Sequence, residues 1–161
     1  MYFLPVLALM AATSVRADVG IRYGLGVLNS AKSSPTEVKI IGLNYTEKLG
    51  KSFFVKTEVG YFIDSSGSSS RKSSAYGNTS LGIEVSPSFL LLRGSHGLAV
   101  ISTPDSYLGR RFPQFSTDLF FGLKDNTGSA IGISYKHISS AGLVMPNQGR
   151  DFITLEYSIK L

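Results

Sequence analysis

Three side chains near the C-terminus are of the types that together cleave esters. They are His137, Ser139 and Asp151, in the stretch SYKHISSAGLVMPNQGRDFITLEYSIKL spanning residues 134–161. A serine hydroxyl is a weak nucleophile until an adjacent imidazole takes its proton. The imidazole needs a carboxylate to fix its tautomer and stabilise its cation. The product of such an attack is an acyl-enzyme, which water then hydrolyses. His137 is one of only two histidines, and the chain has no cysteine. That disfavours a thiolate or multi-histidine metal site, so neither a metal nor any other cofactor is expected. A His-x-Ser spacing alone is weak evidence, because serines are frequent in this chain and a histidine in an interfacial belt often only touches head groups. Position strengthens it: all three residues interrupt apolar strand faces, where polar groups are costly unless used.

Two neighbouring strands must bring them together. Ile131, Ile133 and Tyr135 alternate with Gly132, Ser134 and Lys136. Side chains on one strand face recur every second residue, so the next members of the apolar set are His137 and Ser139. Running back from Leu161 through Ile159, Tyr157, Leu155 and Ile153, the next member is Asp151. If residues 140–150 connect the two strands and Tyr135 lies roughly opposite Ile153, His137 falls beside Asp151, at about 4.5–5.5 Å between opposed residues. Asp has one methylene less reach than Glu, so a longer orienting contact is expected.

The period of two runs through the whole chain. Val19 to Val27, Phe53 to Ile63, Phe115 to Leu123 and the two strands above each set apolar residues against small or charged ones, and so does a run from Leu81 through Val85, Pro87 and Phe89 to Leu91. Noisier strands are read at about residues 36–48 and 98–103, making eight. Tight turns are read near residues 49–51, 94–97 and 125–128, and longer loops near 29–35, 64–74, 104–112 and 140–150. The non-apolar face carries both signs: Arg22, Lys56, Glu58, Glu84, Asp118, Lys124, Lys136, Glu156 and Lys160. A soluble lipocalin-like barrel would turn the apolar set inward. An outer-membrane barrel turns it toward lipid and fills a narrow lumen with small and paired polar residues.

Residues 1–17, MYFLPVLALMAATSVRA, have the short apolar run and small-residue end of a cleaved signal peptide, although no Lys or Arg precedes the run. A short buried helix is the alternative. Removing them deletes Arg16 and no acid, so the formal charge falls from +5 to +4. Export and scattered basic residues argue against nucleic acid as a partner. The expected fold is therefore an all-β, eight-stranded antiparallel outer-membrane β-barrel, with residues 18–161 as one domain. Alternating short and long connections and an apolar final residue agree with it. Both termini lie at the short-turn end, normally periplasmic, which puts the three polar residues at the outer leaflet.

The segment His137-Ile138-Ser139-Ser140-Ala141-Gly142, followed by Pro146-Asn147-Gln148-Gly149 and then Asp151, resembles the lipid A 3-O-deacylases of the PagL family. In that family an H-x-S-N-A-G stretch ends the seventh strand, and a Pro-Asn-x-Gly loop leads to an acidic residue opening the last. The resemblance implies an outer-membrane barrel that removes the ester-linked acyl chain at the 3 position of lipid A. His137 would be base, Ser139 nucleophile and Asp151 orienting acid. Gly142 and Asn147 match family positions and are the oxyanion-hole candidates. The chain departs from the family pattern at two points: the acid is Asp151 rather than Glu, and the motif's Asn is Ser140. The implied partners are lipid A or lipopolysaccharide as substrate and the surrounding outer-membrane lipids; a homodimer is left open. Arg110, Arg111 and Arg150 are read in outer loops, where lipid A phosphates are one contact and solvent the other. His96 is read in a short turn at the opposite end, with no role. The competing readings are a non-catalytic barrel, such as an adhesin, stabiliser or inactive relative, and an outer-membrane phospholipid esterase.

Overall fold

The computed structural model describes residues 17–27, 38–64, 73–103, 113–140, 143 and 149–161. Residues 1–16 of the segment read as a leader lie outside them, as do Gly142, Asn147, Arg110 and Arg111.

Eight strands follow one another: β1 (Ala17–Val27), β2 (Val38–Lys48), β3 (Phe53–Asp64), β4 (Ser74–Val85), β5 (Leu90–Ile101), β6 (Gln114–Lys124), β7 (Ala130–Ser139) and β8 (Arg150–Lys160). Each pairs antiparallel with the next and β1 pairs with β8, so the barrel is closed. Closure leaves no sheet edge, which lipid requires because it offers no partner to a free N–H or C=O. Strands of 10–12 residues are long enough to cross a bilayer at a tilt.

The two faces divide as the alternation predicts. Ile21, Leu43, Val59, Leu81, Leu119, Ile133 and Leu155 point outward and are 49–66% exposed. Arg22, Lys56, Glu58, Glu84, Asp118, Lys136 and Glu156 are buried in the lumen. Apolar outside and charged inside is the arrangement for a hydrocarbon surround. Two groups among the lumen charges each balance acids and bases. Arg22 contacts Asp118 at 2.6 Å, Glu156 at 2.7 Å and Glu58 at 3.3 Å. Lys136 lies 2.9 Å from Asp118 and 3.2 Å from Glu58, while Lys56 sits 3.7–3.9 Å from the same three carboxylates. Nearer the short turns, Arg93 bridges Asp18 and Glu84, and Lys48 meets Glu84 at 2.5 Å.

The lumen differs from expectation in also carrying apolar plugs. At the long-loop end Val38, Ile40, Phe62, Tyr76, Ile101, Ile138 and Phe152 cluster. There Phe62 stacks between Tyr76 and Phe152, at centroid separations of 4.6 and 5.2 Å. Leu91, Phe120 and Ala130 close the other end. Small and paired polar residues alone would leave the tube underfilled, and large side chains occupy the space the charges do not reach.

A second difference lies between β4 and β5. The alternation through Pro87, Phe89 and Leu91 does not belong to one strand. β4 ends at Val85, and a turn over residues 86–89 follows, with Leu90 N–H donating to Pro87 O at 2.9 Å and Ser88 at φ 52°. Pro87 has no N–H for a ladder, and the turn inverts the parity: outward-facing Val85 opposes Leu92, so even-numbered residues face outward in β5. Leu91 accordingly points into the lumen, 2% exposed. The stretch read as a turn near residues 94–97 is the middle of β5. At Gly97 a Cβ would stand 2.1 Å from Thr79 O, so this glycine permits a close backbone approach rather than a turn.

The turns over 49–52, 86–89 and 125–129 share one end with Ala17 and Leu161, whose backbones are bonded, Leu161 N–H to Ala17 O, at 2.8 Å. In the last of these turns the Thr127 hydroxyl and the backbone N–H groups of Thr127 and Ser129 donate to Asp125, holding its carboxyl below the usual range. The opposite end carries the connections 28–37, 65–73, 102–113 and 140–149.

Candidate active site

β7 and β8 pair in the register that places Tyr135 opposite Ile153 and His137 opposite Asp151. Both residues of the second pair continue the lipid-facing set of their strands. Their cover is different from that of their neighbours: Ile133 and Leu155 are more than half exposed, whereas the His137 side chain is 29% exposed and Ser139 and Asp151 are buried. The polar group is thus recessed in the wall.

His137 Nδ1 lies 2.7 Å from Asp151 Oδ1. The expected long contact is not found. Direct opposition across the ladder brings the two backbones close enough for the shorter side chain. An ionised carboxylate only accepts, so the bond assigns the proton to Nδ1 and leaves Nε2 of a neutral imidazole as the basic nitrogen. The Tyr135 hydroxyl also donates to Asp151 Oδ1. Asp151 is therefore held from two sides, by the ring it orients and by a phenol one step down the same face. Tyr135 was expected only as part of the lipid-facing belt. Its role was available from the ladder, since diagonal partners two residues off the direct pair are within reach of a long aromatic side chain.

Ser139 lies on the loop side of His137, next to Gly149. A Cβ at residue 149 would stand 2.7 Å from His137 Cε1 and 3.2 Å from Ser139 Cβ, so ring edge and serine both border this glycine. Gly149 also has φ 69°, a left-handed backbone that a side chain disfavours. Replacing it tests the site without removing a reacting group. Gly149→Ala is expected to displace the His137 ring, the movable neighbour, and to slow cleavage about 10²-fold, the cost of a misplacement near 1 Å. Backbone strain should lower stability by only about 1 kcal/mol. Rate and thermal unfolding of the same preparation check both.

Not every candidate comes to this place. Gly142 and Asn147 lie outside the described residues. Arg150 is not a loop residue: it opens β8, is buried, and stacks its guanidinium 5.6 Å over Phe62 in the lumen plug, on the opposite side of the wall from Asp151. His96 is not in a turn but in the middle of β5, on the outer face, with Nδ1 2.9 Å from Thr117 Oγ1.

A closed barrel with an apolar exterior and a serine, histidine and carboxylate gathered on that exterior defines a class: outer-membrane barrels built for work on lipid. The family model described as lipid A 3-O-deacylase (PagL) matches residues 39–160. The chain belongs to that family, and so to the ester hydrolases of the outer membrane. A crystal structure of the outer membrane enzyme PagL superposes with TM-score 0.66 at 21% identity, over 89% of this chain and 99% of that one. A de novo designed transmembrane β-barrel gives 0.61 at 11% identity, over 92% and 98%. The Yersinia pestis outer membrane protein Ail, in a phospholipid nanodisc, gives 0.54 at 12%, over 91% and 100%. At these identities the structures establish the barrel alone. No curated protein matches the chain in sequence.

Proposed function

We propose that this lipid A deacylase cleaves the ester-linked acyl chain at the 3 position of lipid A by a Ser139–His137–Asp151 triad. The observation that carries the reading is the 2.7 Å contact between His137 Nδ1 and Asp151 Oδ1, in a recess of the lipid-facing wall that also holds Ser139. Ser139 Oγ attacks the ester carbonyl while His137 Nε2 takes its proton. The tetrahedral intermediate collapses by breaking the bond to the sugar oxygen, which receives that proton. Water, deprotonated by the same nitrogen, then releases the fatty acid from Ser139. Asp151 stabilises the imidazolium formed in each half. The Gly142 N–H and the Asn147 side chain are the proposed donors to the oxyanion.

Residues 1–17 are the proposed export signal. The site sits among the long connections, the end assigned to the cell surface, where lipopolysaccharide occupies the outer leaflet.

Tyr135 enters this reading as a positioning residue for Asp151. Tyr135→Phe is expected to lower kcat about tenfold, the worth of one hydrogen bond to a charged acceptor. KM should be unchanged, since Phe keeps the aromatic ring on the outer face and removes only the hydrogen bond to Asp151. A change in KM alone would place Tyr135 in substrate binding instead.

The test is mass spectrometry of lipid A from Gram-negative cells making this protein or its Ser139→Ala variant. Loss of one ester-linked hydroxyacyl group with the parent only is expected. Unchanged lipid A beside a folded parent barrel would overturn the reading, and product analysis of the phospholipids in the same extract would reveal a phospholipid esterase.

A further inference from the structure

Asp151 sits near the end of its ladders. Among the described residues its pair with Val27 is the last between β1 and β8, and only Arg150–Ile138 lies beyond His137–Asp151 between β7 and β8. The connection 140–149 follows. Element ends next to a connection open at small free-energy cost unless packing holds them. The 2.7 Å bond between Asp151 and His137 therefore depends on what fixes the first residues of β8.

Alternation places the chain neighbours of Asp151 inside the barrel, and Arg150 and Phe152 are both buried in the lumen. Both meet one ring, Phe62 of β3. The Phe152 ring stacks on it at 5.2 Å between centroids and 7° between planes, and the Arg150 guanidinium lies 5.6 Å over it. β3 is three strands from β8 around the barrel, so these contacts cross the lumen instead of running along the sheet. Phe62 is itself held: it is fully buried, and Tyr76 stacks on it at 4.6 Å. The lumen neighbours of His137 converge on the same place. Ile138 belongs to the cluster of Phe62 and Phe152, and Lys136 sits 5.4 Å over the Tyr76 ring. Each member of the outer pair is thus flanked in sequence by two residues anchored to this stack.

We infer that Phe62, across the lumen from the active site, is a positioning residue for the triad: held by Arg150 and Phe152, it pins the start of β8 and keeps Asp151 opposite His137. The inference rests on the proposed triad. A plug that only filled space would need volume alone. Nearly parallel rings and a guanidinium over the same ring also set distance and angle. An aliphatic side chain at residue 62 keeps much of the fill and loses that direction. Phe62, Arg150 and Phe152 take no part in the ion pairs of Arg22, so the grip on β8 is separate from the charge cluster below it.

The test compares Phe62→Leu with Phe120→Leu, the same exchange in the plug at the other end of the lumen. Three quantities are read on the folded barrels in detergent: kcat and KM with lipid A, the rate at which a small fluorophosphonate ester labels Ser139, and the His137 Nδ1–H proton resonance in protein labelled with ¹⁵N-histidine. Labelling needs the nucleophile and its base but no recognition of lipid A. Phe62→Leu is expected to lower kcat and the labelling rate by the same factor, about tenfold, as the stack and the cation–π contact cease to hold the strand end. KM should stay within about twofold, since no group facing the substrate changes. The Nδ1–H resonance should broaden by exchange with solvent. Phe152→Leu, which removes the same stack from the β8 side, should match. Phe120→Leu should leave all three readouts within about twofold, as a distant and independent site does, while lowering thermal stability comparably. Parent labelling rate and an unbroadened resonance in Phe62→Leu and Phe152→Leu overturn the inference. So does an equal loss in Phe120→Leu, which would make the effect a general loosening of the lumen. Labelling that persists in Ser139→Ala would overturn the triad instead, and the resonance would still report whether Phe62 holds Asp151 against His137.

Discussion

Ser139→Ala is expected to lower the rate of ester cleavage about 10⁶-fold and Asp151→Asn about 10⁴-fold, with the double variant no slower than Ser139→Ala alone. The inequality follows from the roles. Without Ser139 Oγ no acyl-enzyme forms, so the orientation of the ring no longer matters. Asp151→Asn keeps the shape of the side chain but offers an amide, which can accept from Nδ1–H or donate to a bare Nδ1. The bond of 2.7 Å to His137 then ceases to dictate which nitrogen is basic, and the Tyr135 hydroxyl keeps only a neutral acceptor. All three residues sit on the outer face, clear of the charges in the lumen, so the variants should fold. Heat-dependent gel migration checks the barrel, and release of free fatty acid from purified lipid A gives the rates. Additive losses in the double variant would mean that Asp151 acts on something other than the Ser139 pathway.

How far these residues were legible in the sequence depended on which neighbour had to be known. A period of two and one hairpin suffice to bring His137 opposite Asp151, since the partner strands are consecutive and the register follows from the apolar set. Tyr135 has the same parity, yet an aromatic on a lipid face looks like belt, and only the diagonal contact with Asp151 distinguishes it. Gly149 looks like any loop glycine until its φ of 69° and its closeness to the His137 ring are seen. His96 was misplaced for a different reason: the turn at residues 86–89 inverts the parity, but the consecutive apolar residues Phe89, Leu90, Leu91 and Leu92 fill both phases and hide the boundary between β4 and β5. β2 was noisy because Val38 and Ile40 belong to the lumen plug, which makes both faces of its outer end apolar. Parity also identified the lumen charges, but not which acid meets which base. Arg22 meets Glu156 directly across the β1–β8 ladder but reaches Asp118, on β6, across the lumen, and contacts of the second kind depend on the stagger of the strands rather than on any local pattern.

Those pairings set the largest expected effect on stability. Arg22→Ala should destabilise the barrel by about 3–5 kcal/mol, the usual result of removing one partner from a buried ion cluster. Arg22, Lys56 and Lys136 balance Glu58, Asp118 and Glu156, and Arg22 makes the two shortest contacts in the group, 2.6 Å to Asp118 and 2.7 Å to Glu156. Its loss leaves three buried carboxylates with two cations. Lys56, at 3.7 Å or more from each acid, cannot substitute for a guanidinium that holds two of them directly. Lys56→Met should therefore cost less than Arg22→Ala, although it removes the same formal charge. Urea titration of the barrel in lipid vesicles, followed by gel migration, measures both. A smaller loss for Arg22→Ala than for Lys56→Met would show that net charge in the lumen, not contact geometry, governs its stability. If the triad is independent of this interior, the fraction of Arg22→Ala protein that remains folded should cleave lipid A at the parent rate, because the site is built on the opposite face of the same strands.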